Sequence, residues 1–364
     1  MDLHNKRILI VKPSSLGDII HTLPLVHALK RCCPNCRIDW IVHEIFAAIP
    51  ENDPAVDSVY PINISSTSDP QSGHLAYWYA FRDTVRTLRE LRRVFRQQPY
   101  DLVLDLQASF RSGLLGRTNP GGIRVGFADA RELNPLFQNL RIKVPPSTVH
   151  AVDKNLLFSS YLNCPSSRED FRLYCSEHDD QQVDIFLAGQ KVPEGNELLY
   201  INPAARWKTK FWIPQRWAEL GDRLIEEHHF CVVFGGSAKD KPYISTIAEK
   251  MAHRPVVAAG RLNLAETASL LKRSAAYVGL DSGPMHMAAM TGIPVVALFG
   301  PTHPERVGPY GSEHTIVRAQ GVDCLGCRKR DCSHMGCMNG ITVDGVYASV
   351  LRLLKKHTPE EKTD

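Results

Sequence analysis

The chain has 364 residues, 43% of them hydrophobic and 23% charged, which excludes a largely disordered protein and is longer than one hydrophobic core usually serves. A formal net charge of +4 is too small to argue for nucleic acid as a partner, and no apolar run approaches the ~18 residues that span a bilayer. Two domains of roughly 150–200 residues each are therefore expected.

Residues 7–11 (RILIV) form a short apolar run, followed by the loop KPSSLGD and an amphipathic segment to Leu29. A strand, a glycine-containing loop and a helix open a parallel α/β sheet. The run is too short for the core of a signal peptide, so a cytoplasmic protein with reduced cysteines is expected. The group RCCPNC at 31–36 reads as a helix end with incidental thiols. Further strands are predicted at 38–42 (IDWIV), 101–106 (DLVLDL) and 123–127 (IRVGF), each short, apolar and without alternation, as in strands buried on both faces.

Between them, FRDTVRTLRELRRVFR carries Arg82, Arg86, Arg89, Arg92, Arg93 and Arg96, with Phe81, Val85, Leu88, Leu91 and Phe95 at roughly helical spacing. One reading is a solvated helix face with arginine stems lying over a core. The other is a surface that meets anionic lipid headgroups.

A second series of strands is predicted from LLYINPAA at 198, FCVVFGG at 230–236, AYVGLDSG at 276–283 and PVVALFG at 294–300. The polar helix and Pro/Gly-rich connection between Cys175 and Leu198 place the boundary there, giving domains 1–176 and 177–364. Val346, Val350, Leu353 and Leu354 mark the apolar face of a terminal helix, read as packing back on the N-terminal domain, before a charged tail that frays. Ligands of such sheets bind beyond the carboxyl ends of the strands, so two Rossmann-like domains facing across a cleft are expected.

Three loops carry candidate chemistry. In KPSSLGDIIHTLP, Ser14, Ser15 and Gly17 precede Asp18, which reads either as an acid complementing a helix dipole or as a base that takes a proton from an acceptor hydroxyl. In GLDSGPMH, Asp281, Ser282 and Gly283 end a strand, and the following helix turns His286 toward the same loop, an arrangement of amides and imidazole that suits a diphosphate. In INPAARWKTKFW, Arg206, Lys208 and Lys210 gather before Trp212 and suit a phosphate leaving group.

Taken with the DARE segment at 129–132 and GPTHPERVGPYG at 300–311, these motifs resemble the lipopolysaccharide heptosyltransferases of glycosyltransferase family nine over nearly the whole chain. The resemblance implies the GT-B fold and an inverting transfer of L-glycero-D-manno-heptose from ADP-heptose, with no cofactor or divalent metal in the chemical step. It implies Asp18 as general base; Asp281, Ser282, Gly283 and His286 as the donor-phosphate loop; and Arg131 on the acceptor side with Ser14 and Ser15. The family's Lys-x-Trp lysine falls on Lys210, in a loop one residue longer than the pattern, which keeps Lys208 and Arg206 as alternatives. DARE and VHAVDKN at 149–155 are more similar to the first heptosyltransferase, acting on Kdo-lipid A, than to the second. A second heptosyltransferase, or a relative with another core-sugar or protein acceptor, is the alternative. Peripheral contact with the cytoplasmic face of the inner membrane follows from such an acceptor. At 65–73 the chain departs from the pattern, reading SSTSDPQSG in place of an arginine-rich patch.

Two other classes fit the sequence less well. A nicotinamide-dependent dehydrogenase lacks its G-x-G-x-x-G after the first strand, and a metal-binding module leaves Asp18 and His286 idle. Cys324, Cys327, Cys332 and Cys337 lie within fourteen residues, a spacing compatible with a structural zinc or iron ion, with packing thiols or with a disulfide.

Overall fold

A computed structural model describes residues 2–64, 74–190, 192 and 195–355. The departure at 65–73 and the charged tail after Lys355 lie outside the described residues. The chain divides into two compact units, Met1–Phe171 and Arg172–Asp364.

The first unit is a parallel sheet of β1 (Arg7–Val11), β2 (Arg37–His43), β3 (Ser58–Ile62), β4 (Leu102–Asp105), β5 (Ile123–Phe127) and β6 (Leu140–Ile142), in the order β3-β2-β1-β4-β5-β6. Ile8 of β1 stands opposite Ile38 on one side and Leu102 on the other. Helices cover both faces of such a sheet, which is why Ile8 to Val11 carry no polar alternation and are wholly buried. On one face Leu9, Val11, Ile41 and Val103 pack with Leu91 and Phe95 of the helix His74–Gln97.

The second unit repeats the plan with β7 (Leu198–Asn202), β8 (Cys231–Phe234), β9 (Val256–Val257), β10 (Ser274–Leu280), β11 (Val295–Leu298) and β12 (His314–Val317), in the order β12-β11-β10-β7-β8-β9. Its core includes Trp212 and Trp217, edge to face with centroids 4.8 Å apart. Truncating either to alanine is expected to cost about 3–5 kcal/mol. A Cβ on Gly279 of β10 would lie 2.4 Å from the Tyr277 hydroxyl and 2.8 Å from the Asn202 carbonyl, so only glycine lets the end of β7 lie this close.

Counted within itself, each unit has strand order 3-2-1-4-5-6. Its first and fourth strands are neighbours whose following connections leave in opposite directions, and the crevice between them is where doubly wound sheets hold ligands.

The boundary and the packing of the terminal helix differ from expectation. The division falls at Phe171, five residues before the expected boundary, and the polar helix Glu177–Ala188 lies in the second unit. Its Asp180 accepts from the Ser269 hydroxyl at 2.5 Å, and Arg273 pairs with Asp184. The terminal helix Val343–Lys355, read as packing on the first domain, buries Val346, Val350 and Leu353 in the second unit's own core.

Candidate active site

In the first unit, β1 runs into Lys12 and the short helix Leu16–Ile20. Ser15 caps that helix reciprocally with Asp18: the Ser15 amide and hydroxyl both donate to Asp18 Oδ2, at 2.9 and 2.8 Å. Lys12 is 6% exposed; its Nζ donates to the Leu106 carbonyl at 3.1 Å and lies 3.4 Å from Asp18 Oδ1. Loss of bulk water around Asp18 would raise its pKa, but the Lys12 ammonium and the two Ser15 hydrogen bonds outweigh that effect. They hold the carboxyl below the usual carboxylate range. Asp18 is therefore both a helix cap and an ionised carboxylate with 44% of its side chain exposed at the crevice. Ser14 is half-buried in the same loop.

The neighbouring crevice wall is organised by an acid that the sequence reading did not single out. Asp105, at the end of β4, is 1% exposed and accepts from the amides of Gln107 and Ala108 and from Ser112 Oγ, Asn134 Nδ2 and Gln138 Nε2 at 2.7–3.1 Å. Burial pushes its carboxyl up against the opposing effect of these donors. Glu132 of the DARE segment accepts from the Phe110 amide at 3.1 Å, while Asp129 pairs with Lys154 of VHAVDKN at 2.9 Å. Arg131 is exposed on this loop. Asn155 donates to the His21 carbonyl at 3.1 Å, tying VHAVDKN to the chain beyond Asp18.

In the second unit the corresponding crevice lies between β7 and β10. Lys210 Nζ lies 2.7 Å from Asp281 Oδ2 and donates to the Asp281 carbonyl at 3.0 Å. Of the three predicted cations, Lys210 is thus the one brought to the LDSG loop; Arg206 and Lys208 are exposed, and no ion pair joins either among the described residues. Asn202, also unassigned from sequence, donates to the Ser282 hydroxyl at 3.1 Å and aligns the loops after β7 and β10. Ser282 immediately precedes the helix Gly283–Thr291, on which His286 is 6% exposed. Trp207 carries the Lys210 ammonium 5.0 Å from its ring centroid and the Arg330 guanidinium at 4.9 Å.

Arg330 comes from the cysteine segment, and Thr209 donates to the Lys329 carbonyl at 2.9 Å, so this segment braces the cationic loop. Cys324, Cys327, Cys332 and Cys337 line one cavity of about 50 Å³ with Thr209 and Pro301. All ten cysteines are free thiols in this structure. Burial and the three neighbouring sulfurs raise the Cys337 thiol pKa. As to the expected metal, among the described residues no three His, Cys, Asp or Glu side chains form a ligand set. Only Cys337 is fixed by a helix, Gly336–Asn339, and the other three sit on irregular loop.

The model of glycosyltransferase family 9 (heptosyltransferase) matches residues 88–338. Lipopolysaccharide heptosyltransferase 1 of Pseudomonas aeruginosa is 31% identical over 90% of this chain and 88% of its own length. Escherichia coli heptosyltransferase WaaC, solved with ADP, is 25% identical, with a TM-score of 0.72 over 95% of this chain and 99% of that one. A family 9 glycosyl transferase from Veillonella parvula, at 22% identity, shares the fold with a TM-score of 0.82 over 98% and 99% of the two chains. Two doubly wound units with these relatives are a GT-B fold. The chain is a glycosyltransferase and belongs to glycosyltransferase family 9, the heptosyltransferases.

Proposed function

We propose that this chain transfers L-glycero-D-manno-heptose from ADP-heptose to the Kdo-lipid A inner core of lipopolysaccharide, inverting the anomeric carbon, at the cytoplasmic face of the inner membrane. One observation carries the reading. An ionised, accessible carboxylate, Asp18, is held by Lys12 and Ser15 at a switch point, in a chain 31% identical to a lipopolysaccharide heptosyltransferase 1.

In the reaction the acceptor hydroxyl gives its proton to Asp18 as its oxygen bonds to the anomeric carbon. The bond from that carbon to the diphosphate oxygen breaks, and ADP leaves with the electron pair. Lys210, Arg206, Lys208, His286 and the amides of Ser282 and Gly283 are the groups available to stabilise the growing charge. Inside a site poor in water such groups are worth several kcal/mol. Asp281 offsets part of the Lys210 charge, which gives the exposed Arg206 and Lys208 a share of the work. Ser14, Ser15 and Arg131 stand on the acceptor side in this reading. Incubation with ADP-heptose and either Kdo-lipid A or its heptosylated product tests it by mass spectrometry. Extension of Kdo-lipid A supports the proposal, and extension of the heptosylated product alone replaces it with the second heptosyltransferase.

A structural zinc or iron ion on Cys324, Cys327, Cys332 and Cys337 is a separate proposal. The shared cavity supports it, and the lack of a ligand set counts against it. Elemental analysis of chelator-free protein decides: about one equivalent of metal upholds it, and none leaves packing thiols.

A further inference from the structure

The helix His74–Gln97 does two jobs with its two faces. Ala80, Asp83, Thr87, Leu91 and Phe95 are buried at intervals of three and four residues. At 100° per residue, Arg82, Arg89 and Arg93 lie within roughly 40° of the opposite direction, and Arg86 within roughly 60°. The helix holds six arginines against two acids, a net charge equal to the +4 of the whole chain. Both acids are turned inward or flanked: Asp83 pairs with Arg82 at 3.1 Å, and Glu90 lies 3.8 Å from Arg86.

At the start of this basic row stand Trp78 and Phe81, 60% and 61% exposed. Their rings stack with centroids 6.1 Å apart. Together with Val85, Glu90 and the stems of Arg82, Arg86 and Arg89 they line a surface groove of about 300 Å³. Two large aromatics left open to water beside guanidinium groups match the boundary of a bilayer, where rings sit at headgroup depth and arginines meet phosphate. A single-stranded nucleic acid could also use the guanidinium groups and stack bases on the rings; the lipid-linked acceptor of the proposed function selects the bilayer.

We propose that this outward face docks on an anionic lipid bilayer, with Arg82, Arg86, Arg89 and Arg93 on headgroup phosphates and Trp78 and Phe81 entering the interface. The inference deepens the membrane part of the proposed function and rests on that reading. Charge complementarity selects an anionic surface. The attraction acts within a Debye length of the surface and is screened by salt.

The test is co-sedimentation of the full chain with phosphatidylcholine vesicles, with and without phosphatidylglycerol. The wild-type chain is expected to bind the anionic vesicles at least ~10-fold better than the neutral ones, and the R86Q/R89Q/R93Q variant to lose ~10-fold or more of that binding. W78S/F81S is expected to lose several-fold and to keep its salt sensitivity. Equal binding of the charge variant and wild type overturns the proposal, as does equal binding of wild type to both vesicles. Should the charge variant fail to fold, wild-type binding that sodium chloride does not weaken overturns it instead. Bare vesicles contain no sugar acceptor, so the two readings fail separately. Docking lost with heptosyl transfer intact removes only this surface; transfer absent with docking intact removes only the function.

Discussion

Each unit sets a lysine against an aspartate at the crevice beside its first strand, but the first exposes the acid while the second buries most of both members. In the first, the Lys12 side chain is 8% exposed and Asp18 is 44% exposed, 3.4 Å apart. In the second, Asp281 is 8% exposed and Lys210 is 15% exposed, 2.7 Å apart. A lysine sunk behind an open carboxylate keeps the acid ionised without covering it, which suits proton abstraction. An acid sunk beside a lysine fixes the position of the cation but cancels part of its field. A phosphate held there then calls on neighbouring cations and helix amides as well.

The comparison breaks first at Asp18. Asp18→Asn keeps the shape and the cap but removes the base, so transfer is expected to fall ~10²-fold or more while ADP binding by calorimetry is unchanged. Near-wild-type turnover would make Asp18 a cap and nothing else. Next comes the support of the first unit. Asp105→Asn turns an amide hydrogen toward the donors of Ser112, Asn134 and Gln138, and is expected to cost about 2 kcal/mol in urea unfolding. An unchanged midpoint would contradict the network described for β4.

In the second unit, Lys210→Ala is expected to weaken ADP binding and slow transfer together, each by about 10-fold. A larger loss in Lys208→Ala would move the phosphate contact to the exposed lysine and leave Lys210 as the partner of Asp281. The smallest effect concerns pH. Asp18 must be ionised to act, and its carboxyl lies below the usual range because of Lys12 and Ser15. Lys12→Met removes the cation, the carboxyl rises, and the acid limb of the rate profile moves to higher pH. A limb that stays in place would separate Lys12 from the base.

How much of this was legible in the sequence follows burial. The strands read from apolar runs, at Arg7–Val11, Ile123–Phe127 and Val295–Leu298 for example, are those packed between helices. The strands not read were β3, β6, β9 and β12, the two edge strands of each sheet, where exposure dilutes the apolar signal: His314–Val317 has no buried residue. The site divides in the same way. Asp18 and the LDSG loop announced themselves by motif, and Lys210 by its spacing to Trp212. Lys12, Asp105 and Asn202 did not, because each is placed by a partner distant in sequence: the Leu106 carbonyl holds Lys12 beside Asp18, Asn134 donates to Asp105, and Asn202 donates to Ser282. The lysine ending RILIVK and the acid ending LVLD were nonetheless visible as charges at strand ends, the signal that would have found them.

The central claim is that protein groups alone serve both crevices, the base in one and the leaving diphosphate in the other. The most direct test is the initial rate of heptose transfer from ADP-heptose to Kdo-lipid A in excess EDTA, compared with the rate in magnesium. The account predicts equal rates; a reaction that EDTA stops and magnesium restores would contradict it.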